Sequence, residues 1–304
     1  MTEFPGLSIA AVERDTGLSK DTLRVWERRY GFPKPLRDIL GERLYSAAEV
    51  DKLRCIKRLL DQGFRPSKLI DSSTEELTKL LESPRDAVAG IRELPSELAS
   101  ILDLVKLHRS DALRGLLTQT LMKHGLQQFV AAIAAPLNQR IGEAWMRGEI
   151  GVTEEHLYTE LLQNTLRSAI NAYPIHGLRP KVLLTTLPGE EHSLGLLMAE
   201  AMLVPEGARC VSLGIQTPLS DILLAARSGE VDVVALSFSA AYPVRHAVEG
   251  LTSLRGLLPE ATALWAGGEG VRGRQRSLPN TRVIEGIDDT LAALREWRTA
   301  RLDT

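Results

Sequence analysis

Cysteine is nearly absent: among 304 residues only Cys55 and Cys210 occur, and their spacing is not that of metal ligands. That excludes a disulfide framework and fits a reducing cytoplasm. Long apolar runs are lacking too, and none approaches the roughly 18 residues that span a bilayer. The start, MTEFPGLSIA, has no basic stretch followed by an apolar one, so no signal peptide is expected. There is no internal repeat and no low-complexity tract. What remains is ordinary for a globular protein, 44% apolar and 25% charged residues. At about 150 residues per domain, the length suggests two domains or three small ones.

The net charge of -2 hides an asymmetry. Residues 1–70 carry 14 Lys+Arg against 10 Asp+Glu, and the remainder carries 23 against 29. A basic head on an acidic body points to a polyanion partner for the head alone. In that head Ser8 and Ser19 stand where N-caps belong, Gly17, Gly31 and Pro33 interrupt, and Leu23 and Trp26 lie on an inner face. Residues 35–46 read as irregular, with Gly41 as a turn centre, and Ala47–Gln62 as a longer helix. Residues 71–90 are rich in Ser, Glu and Asp and read as a linker with some helix in it.

Residues 91–173 read as a small helical bundle. Phe129, Ile133, Leu137, Ile141 and Trp145 recur every four residues, and Thr153 can cap a helix striped by Leu157, Leu161, Leu162, Leu166 and Ile170. After residue 180 the rhythm changes. Apolar runs at Lys181–Leu187, Cys210–Ile215, Val231–Phe238 and Ala263–Ala266 alternate with helical stretches near 193–205, 218–228, 243–258 and 288–300. This alternation predicts a parallel sheet with helices on both faces and ligands at the strands' carboxyl ends.

The segment Ser19–Tyr30 reads SKDTLRVWERRY. Arg24 and Arg28, four apart, face the same way, with Lys20 and Thr22 near the helix start. Arginine suits bidentate contacts to guanine, while Lys and Thr can hold phosphates. A solvated basic helix face is the bland alternative on composition alone. The run TLRVWERRYGFPKP, followed by Arg37, Gly41, Arg43 and Tyr45, resembles the winged-helix head of the MerR family of transcription regulators over residues 7–70 or so. The resemblance implies double-stranded DNA as partner, Arg24 and Arg28 in the major groove, Arg37, Arg43 and Tyr45 as wing contacts, and Trp26 in the core. It also implies a dimer on an inverted repeat.

After the first strand comes Pro188-Gly189-Glu190-Glu191-His192-Ser193-Leu194-Gly195. His192 falls in a loop at a strand's carboxyl end, and Glu190 is placed to bond its far nitrogen. One His with no Cys or second His nearby cannot build a zinc site, but can supply one axial ligand to a metal held by a macrocycle. A loop histidine of no special role is the plain alternative. These residues resemble the cobalamin-binding signature Asp-x-His-x-x-Gly, Ser-x-Leu, Gly-Gly. Here 41 residues separate Gly195 from Ser237, and 27 separate Ser239 from Gly267-Gly268. Glu190 departs from Asp and Ser239 from Leu. The resemblance implies His192 beneath cobalt, Gly195 where the next helix approaches closely, and Ser237, Ser239, Gly267 and Gly268 near the cofactor's nucleotide tail.

In the bundle, Trp145 is followed by nine residues and then Glu155-His156. This spacing resembles the cap of CarH/LitR-type cobalamin photoreceptors, in which the Trp covers the upper face of cobalt and the Glu-His pair lies against the adenosyl group. A core Trp and a capped helix start are the alternative. Where that family commonly has His after the Trp, Met146 stands here. A thioether is a poorer partner for oxidised cobalt than imidazole, so no stable bis-histidine adduct is expected.

The resemblances together imply a multidomain chain. A winged helix-turn-helix occupies 1–75, a linker 76–92, a four-helix bundle 93–175, and an α/β Rossmann-like cobalamin-binding domain 178–304. They imply adenosylcobalamin or methylcobalamin as cofactor. The function implied is a cytoplasmic, light-responsive repressor that binds operator DNA in the dark as a dimer or tetramer and has no membrane partner. A regulator sensing another ligand or protein through a degenerate cobalamin-binding-like domain is the rival reading. An enzyme of the mutase or methyl-transfer class is disfavoured by the basic head and by the lack of a catalytic constellation.

Overall fold

A computed structural model describes residues 6–38, 41–61, 64, 66–82, 96–174 and 178–301. The chain forms two compact units, Met1–Glu93 with Met146–Val152, and Leu94–Trp145 with Thr153–Thr304. Most of the expected linker, residues 83–92, lies outside the described residues.

The first unit opens with β1 (Leu7–Ser8), α1 (Ile9–Thr16) and α2 (Lys20–Tyr30). Both expected caps form: Ser8 Oγ accepts from the Ala11 amide at 3.3 Å and Ser19 Oγ from the Thr22 amide at 3.1 Å. The stretch expected to be irregular is a hairpin, β2 (Leu36–Arg37) and β3 (Arg43–Tyr45), with Arg37 opposite Arg43. The antiparallel sheet runs β1-β3-β2. Three helices follow, α3 (Ala47–Asp61), α4 (Pro66–Leu69) and α5 (Thr74–Glu82). Val12, Leu23, Trp26, Tyr45, Leu53, Ile56 and Leu77 share one buried core, so the head has its own hydrophobic centre.

The second unit begins with α6 (Ser96–Lys106), α7 (Ser110–His124) and α8 (Leu126–Phe129), which runs through a π turn (Val130–Ala134) into α9 (Ala135–Arg147); α10 (Val152–Asn171) follows. Phe129, Ile133, Leu137 and Ile141 are buried as their spacing predicts, whereas Trp145 is half-buried. Four-residue steps overshoot a 3.6-residue turn by about 40° each. The wider π turn resets the stripe. Helix α10 starts at Val152, so Thr153 lies inside its first turn and is not the cap.

The sheet strands are β4 (Leu178–Thr185), β5 (Ala208–Gly214), β6 (Val233–Ser237), β7 (Ala263–Gly267) and β8 (Arg282–Ile284). Between and after them lie α11 (Leu194–Leu203), α12 (Leu219–Ser228), α13 (Val244–Leu257) and α14 (Asp289–Thr299). All strand pairs are parallel, in the order β5-β4-β6-β7-β8. Side chains alternate across the sheet. Val182, Leu184, Val233, Ala235 and Trp265 pack with Leu196, Leu203 and Leu294. Leu183, Val234, Leu236 and Leu264 pack on the other face with Ile222, Leu251 and Leu254. The strand order reverses between β4 and β6, which makes their carboxyl ends the switch point where such sheets bind ligands.

Candidate functional site

In the head, helix α2 presents Arg24 and Arg28 as exposed side chains. Arg24 reaches Asp21 at 3.2 Å across solvent, a contact of little strength. Lys20 lies 3.3 Å from Glu13, and Thr22 shares a 2.8 Å hydroxyl contact with Ser19. On the hairpin, Arg37 donates to the Gly41 carbonyl at 2.8 Å and is exposed. Arg43 is half-buried and pairs with Glu27 of α2 at 2.8 Å, which fastens the wing to the second helix. Tyr45 is fully buried in the head core, with its hydroxyl unpaired among the described residues. Tyr45 therefore serves packing and is removed from the expected wing contacts; the every-second-residue alternation of β3 turns it inward.

In the second unit the loop after β4 places Glu190 beneath the surface, 1% exposed, and His192 above it with 61% of its side chain exposed. Glu190 Oε1 accepts from His192 Nδ1 at 2.6 Å and from the His192 amide at 2.9 Å. A carboxylate only accepts, so in this bond Nδ1 carries the proton. Burial alone raises the Glu190 carboxyl, but donors from His192 and Ser239 outweigh it and hold it below the usual carboxylate range. The same Glu190 bond raises the His192 pKa against the opposing effect of burial, with Glu155 and Glu191 adding to the rise.

The loop itself is tied from several sides. Thr186 Oγ1 donates to the Glu190 carbonyl at 2.8 Å and accepts from the Gln216 amide at 2.8 Å. The Tyr242 hydroxyl donates to the Pro188 carbonyl at 3.2 Å. From the bundle, Gln163 of α10 donates to Ser193 Oγ at 2.8 Å, one residue from His192. None of Thr186, Gln216, Tyr242 and Gln163 belonged to the expected site.

Ser237 and Gly195 meet across the switch point. A Cβ on Gly195 would lie 2.2 Å from Ser237 Oγ and 3.3 Å from its Cβ, so α11 runs close against the end of β6 and an alanine there would turn the Ser237 hydroxyl aside. Gly267 ends β7, and Gly268 follows with φ +97°. Ser239 gives Glu190 Oε2 two donors, its amide at 2.7 Å and its hydroxyl at 2.9 Å. At the bundle's edge, Glu155 accepts from Thr159 Oγ1 at 2.7 Å and pairs with His156 Nδ1 at 2.7 Å. Trp145 stands near the end of α9. Met146 has no described side chain.

The donor set is one imidazole with a buried carboxylate behind it. Among the described residues no cluster of three or more His, Cys, Asp or Glu is placed to hold a bare ion. A lone exposed imidazole backed by a buried carboxylate fits a metal that arrives in its own macrocycle.

Comparison with known proteins agrees with both halves. Residues 7–72 match the family described as MerR HTH family regulatory protein, and residues 98–169 match the B12 binding domain. The chain is 30% identical to the HTH-type transcriptional repressor CarH of Myxococcus xanthus, over 90% of this chain and 93% of that one. It is also 30% identical to the HTH-type transcriptional repressor CarA of Myxococcus xanthus, over 97% and 98% of the two chains. The monomethylamine corrinoid protein of Methanosarcina barkeri covers 65% of this chain and 96% of its own with a TM-score of 0.53, at 14% identity, a likeness of fold. The chain thus joins a MerR-type DNA-binding head to a B12-binding body. It belongs to the family of CarH and CarA, HTH-type transcriptional repressors. No helix among the described residues is long and apolar enough to cross a membrane.

Proposed function

We propose that this protein is a light-responsive transcription repressor that binds adenosylcobalamin and, in the dark, holds double-stranded operator DNA as an oligomer in the cytoplasm. The observation that carries this reading is His192 in the loop at the sheet's switch point, exposed and with its Nδ1 held by the buried Glu190, in a chain whose head is of the MerR type. When bound, adenosylcobalamin supplies a cobalt–carbon bond that visible light breaks. His192 would hold its cobalt, and Glu190 would keep that imidazole in the ligating tautomer. Ser237, Gly267 and Gly268 would line the slot for the nucleotide tail, with Ser239 near it, and Gly195 would let α11 approach closely. Trp145, Glu155 and His156 cover the upper side from the bundle, an indole serving as a flat apolar lid.

Two glutamines fasten bundle to sheet. Gln163 bonds Ser193, and Gln127 bonds the Met202 carbonyl at 2.9 Å and Glu206 at 3.0 Å. A shift of the bundle therefore reaches α11 and the His192 loop. Several heads on one operator bind with avidity, and a few kcal/mol of bias between oligomer and monomer swings occupancy strongly. In the head, Lys20, Thr22, Arg24, Arg28 and Arg37 face the DNA, and Arg43 acts through its hold on Glu27.

The test is purification with adenosylcobalamin in darkness, with absorbance, sedimentation and operator binding recorded before and after green light. The expected result is a bound corrinoid, a fall in mass on illumination and release of DNA. A bound corrinoid with no change in mass removes the disassembly step. Colourless protein that occupies its operator equally in light and dark reduces the chain to a plain winged-helix regulator.

A further inference from the structure

The core of the bundle holds a polar group that the described residues leave unpaired. Tyr158 of α10 is fully buried, and its hydroxyl has no hydrogen-bond partner among them. Buried tyrosine hydroxyls ordinarily find a partner, and leaving one unpaired is costly. A phenylalanine would fill the same core without that cost. The place of Tyr158 in the helix says what the hydroxyl can serve. It stands in the second turn of α10, three residues after Glu155. Residues three apart are neighbours on a helix, and a helical side chain leans back over the turn before its own Cα. The ring therefore extends toward the start of α10, where Glu155 and His156 stand. Burial pushes the Tyr158 hydroxyl up, and the Glu155 carboxylate adds to the rise, so the phenol stays neutral and keeps its proton to donate. Thr159 Oγ1 and His156 Nδ1, each at 2.7 Å, fill two of the roughly four acceptor positions of the Glu155 carboxylate. The two groups are complementary, since a carboxylate only accepts and a neutral phenol donates. A ligand hydroxyl, donor and acceptor at once, is satisfied by such a pair. A methyl group uses neither.

We propose that Tyr158 is a specificity-determining residue for the upper ligand of the corrinoid, its hydroxyl donating to a hydroxyl-bearing group such as adenosyl while Glu155 accepts from that group. This role rests on the reading of the bundle as the cover of a bound cobalamin. It adds a buried donor to the expected set of Trp145, Glu155 and His156, and it explains why the core carries a hydroxyl at all. The cost of the unpaired hydroxyl belongs to the cofactor-free protein and is relieved when an adenosyl group enters, which turns a defect of the empty bundle into a preference for one upper ligand.

The experiment compares the full chain with its Y158F variant in darkness. Adenosylcobalamin and methylcobalamin are titrated separately and followed by absorbance, and the cofactor-free proteins are melted under circular dichroism. Y158F is expected to bind adenosylcobalamin about fivefold more weakly, the weight of one net hydrogen bond. It is expected to bind methylcobalamin as the parent does and, without cofactor, to melt no lower than the parent. A ratio of the two affinities that is the same in Y158F and parent overturns the proposal. So does a cofactor-free Y158F that melts lower, because the hydroxyl then has a partner other than the upper ligand. Both outcomes leave the cobalamin reading standing. A parent chain that takes up neither corrinoid overturns that reading, and the role of Tyr158 falls with it.

Discussion

Gly268→Ala probes the fold beneath the proposed tail slot without any cofactor. Gly268 has φ +97°, and a Cβ there would lie 2.2 Å from the Phe238 carbonyl oxygen and 3.0 Å from its carbon. That carbonyl has no freedom to retreat. It accepts from the Gly270 amide at 3.2 Å, and the Phe238 amide donates to the Gly267 carbonyl at 2.9 Å. The fully buried Phe238 ring also packs on Tyr242 at 5.4 Å. An alanine in left-handed backbone costs about 1–2 kcal/mol. Forcing backbone apart in a packed region adds about 1–3 kcal/mol. The loss is therefore about 2–5 kcal/mol, and at about 2–4 °C per kcal/mol for a unit of this size, melting falls by roughly 4–20 °C. Gly273→Ala is the matched control: its φ is +71°, but nothing lies within 4 Å of an added Cβ. It keeps the conformational cost alone, about 1–2 kcal/mol. Thermal unfolding followed by circular dichroism on the cofactor-free protein measures both. Equal falls in the two variants would refute the steric argument for the second glycine of the Gly-Gly pair.

Gly195→Ala is expected to behave oppositely: alanine favours the helix by up to about 1 kcal/mol, and Ser237 Oγ can rotate from the 2.2 Å clash, so melting stays within a few degrees while cobalamin affinity drops at least tenfold in an absorbance titration. Arg28→Ala should lose about 1–3 kcal/mol of operator affinity by fluorescence anisotropy and relax sequence preference. Tyr45→Phe should leave that affinity intact and melting no lower, since a buried hydroxyl without a partner is a burden of about 1–3 kcal/mol. Asp232 is 6% exposed and bonds Arg179 and the Lys181 amide. Burial raises its pKa, but these partners win and hold it below the usual 3.8. Because the folded-state value is depressed, the stabilisation is complete above the unfolded value and is lost as pH falls through the folded one. Asp232→Asn should therefore melt lower at neutral pH, with the gap to the parent narrowing below about pH 4.

The sequence carries most of this architecture because apolar periodicity is strong in long elements. The runs at β4, β5, β6 and β7 mark their strands directly. Strand β8 escapes because only Val283 of its three residues is buried, which leaves no apolar run to see. The wing hairpin escapes as secondary structure for a similar reason: both residues of β2 are exposed. The π turn is hidden because the spacing of Phe129 and Ile133 is the same for either bonding pattern. In the site, Glu190 and His192 stand two apart and can be read as a pair. The bond from Ser239 spans 49 positions and exists only because β4 and β6 are neighbours. Gln163, 30 positions from Ser193, is equally silent until the bundle is packed on the sheet.

These silent contacts bear directly on the chemistry. An exposed side chain on a loop ordinarily samples several rotamers, and fixing it on binding costs about 0.5–1.5 kcal/mol. The His192 loop begins with much of that ordering already complete. Thr186 holds its backbone at Glu190 and Tyr242 at Pro188, Gln163 bonds the Ser193 hydroxyl, and Ser239 holds the carboxylate under the ring. The four supports come from the residue just after β4, from α10 and from the segment following β6, so no single element sets the position of the imidazole. A ligand approaching Nε2 meets a ring whose tautomer and direction are set in advance, which favours affinity through the entropy already lost in folding. The support at Ser193 comes from the bundle, so the ordering of the loop and the placement of α10 are one equilibrium. On the proposed role of His192, loosening α10 would weaken its hold on the cofactor, and a cofactor held by His192 would in turn favour the docked bundle, since coupling between two binding events is reciprocal.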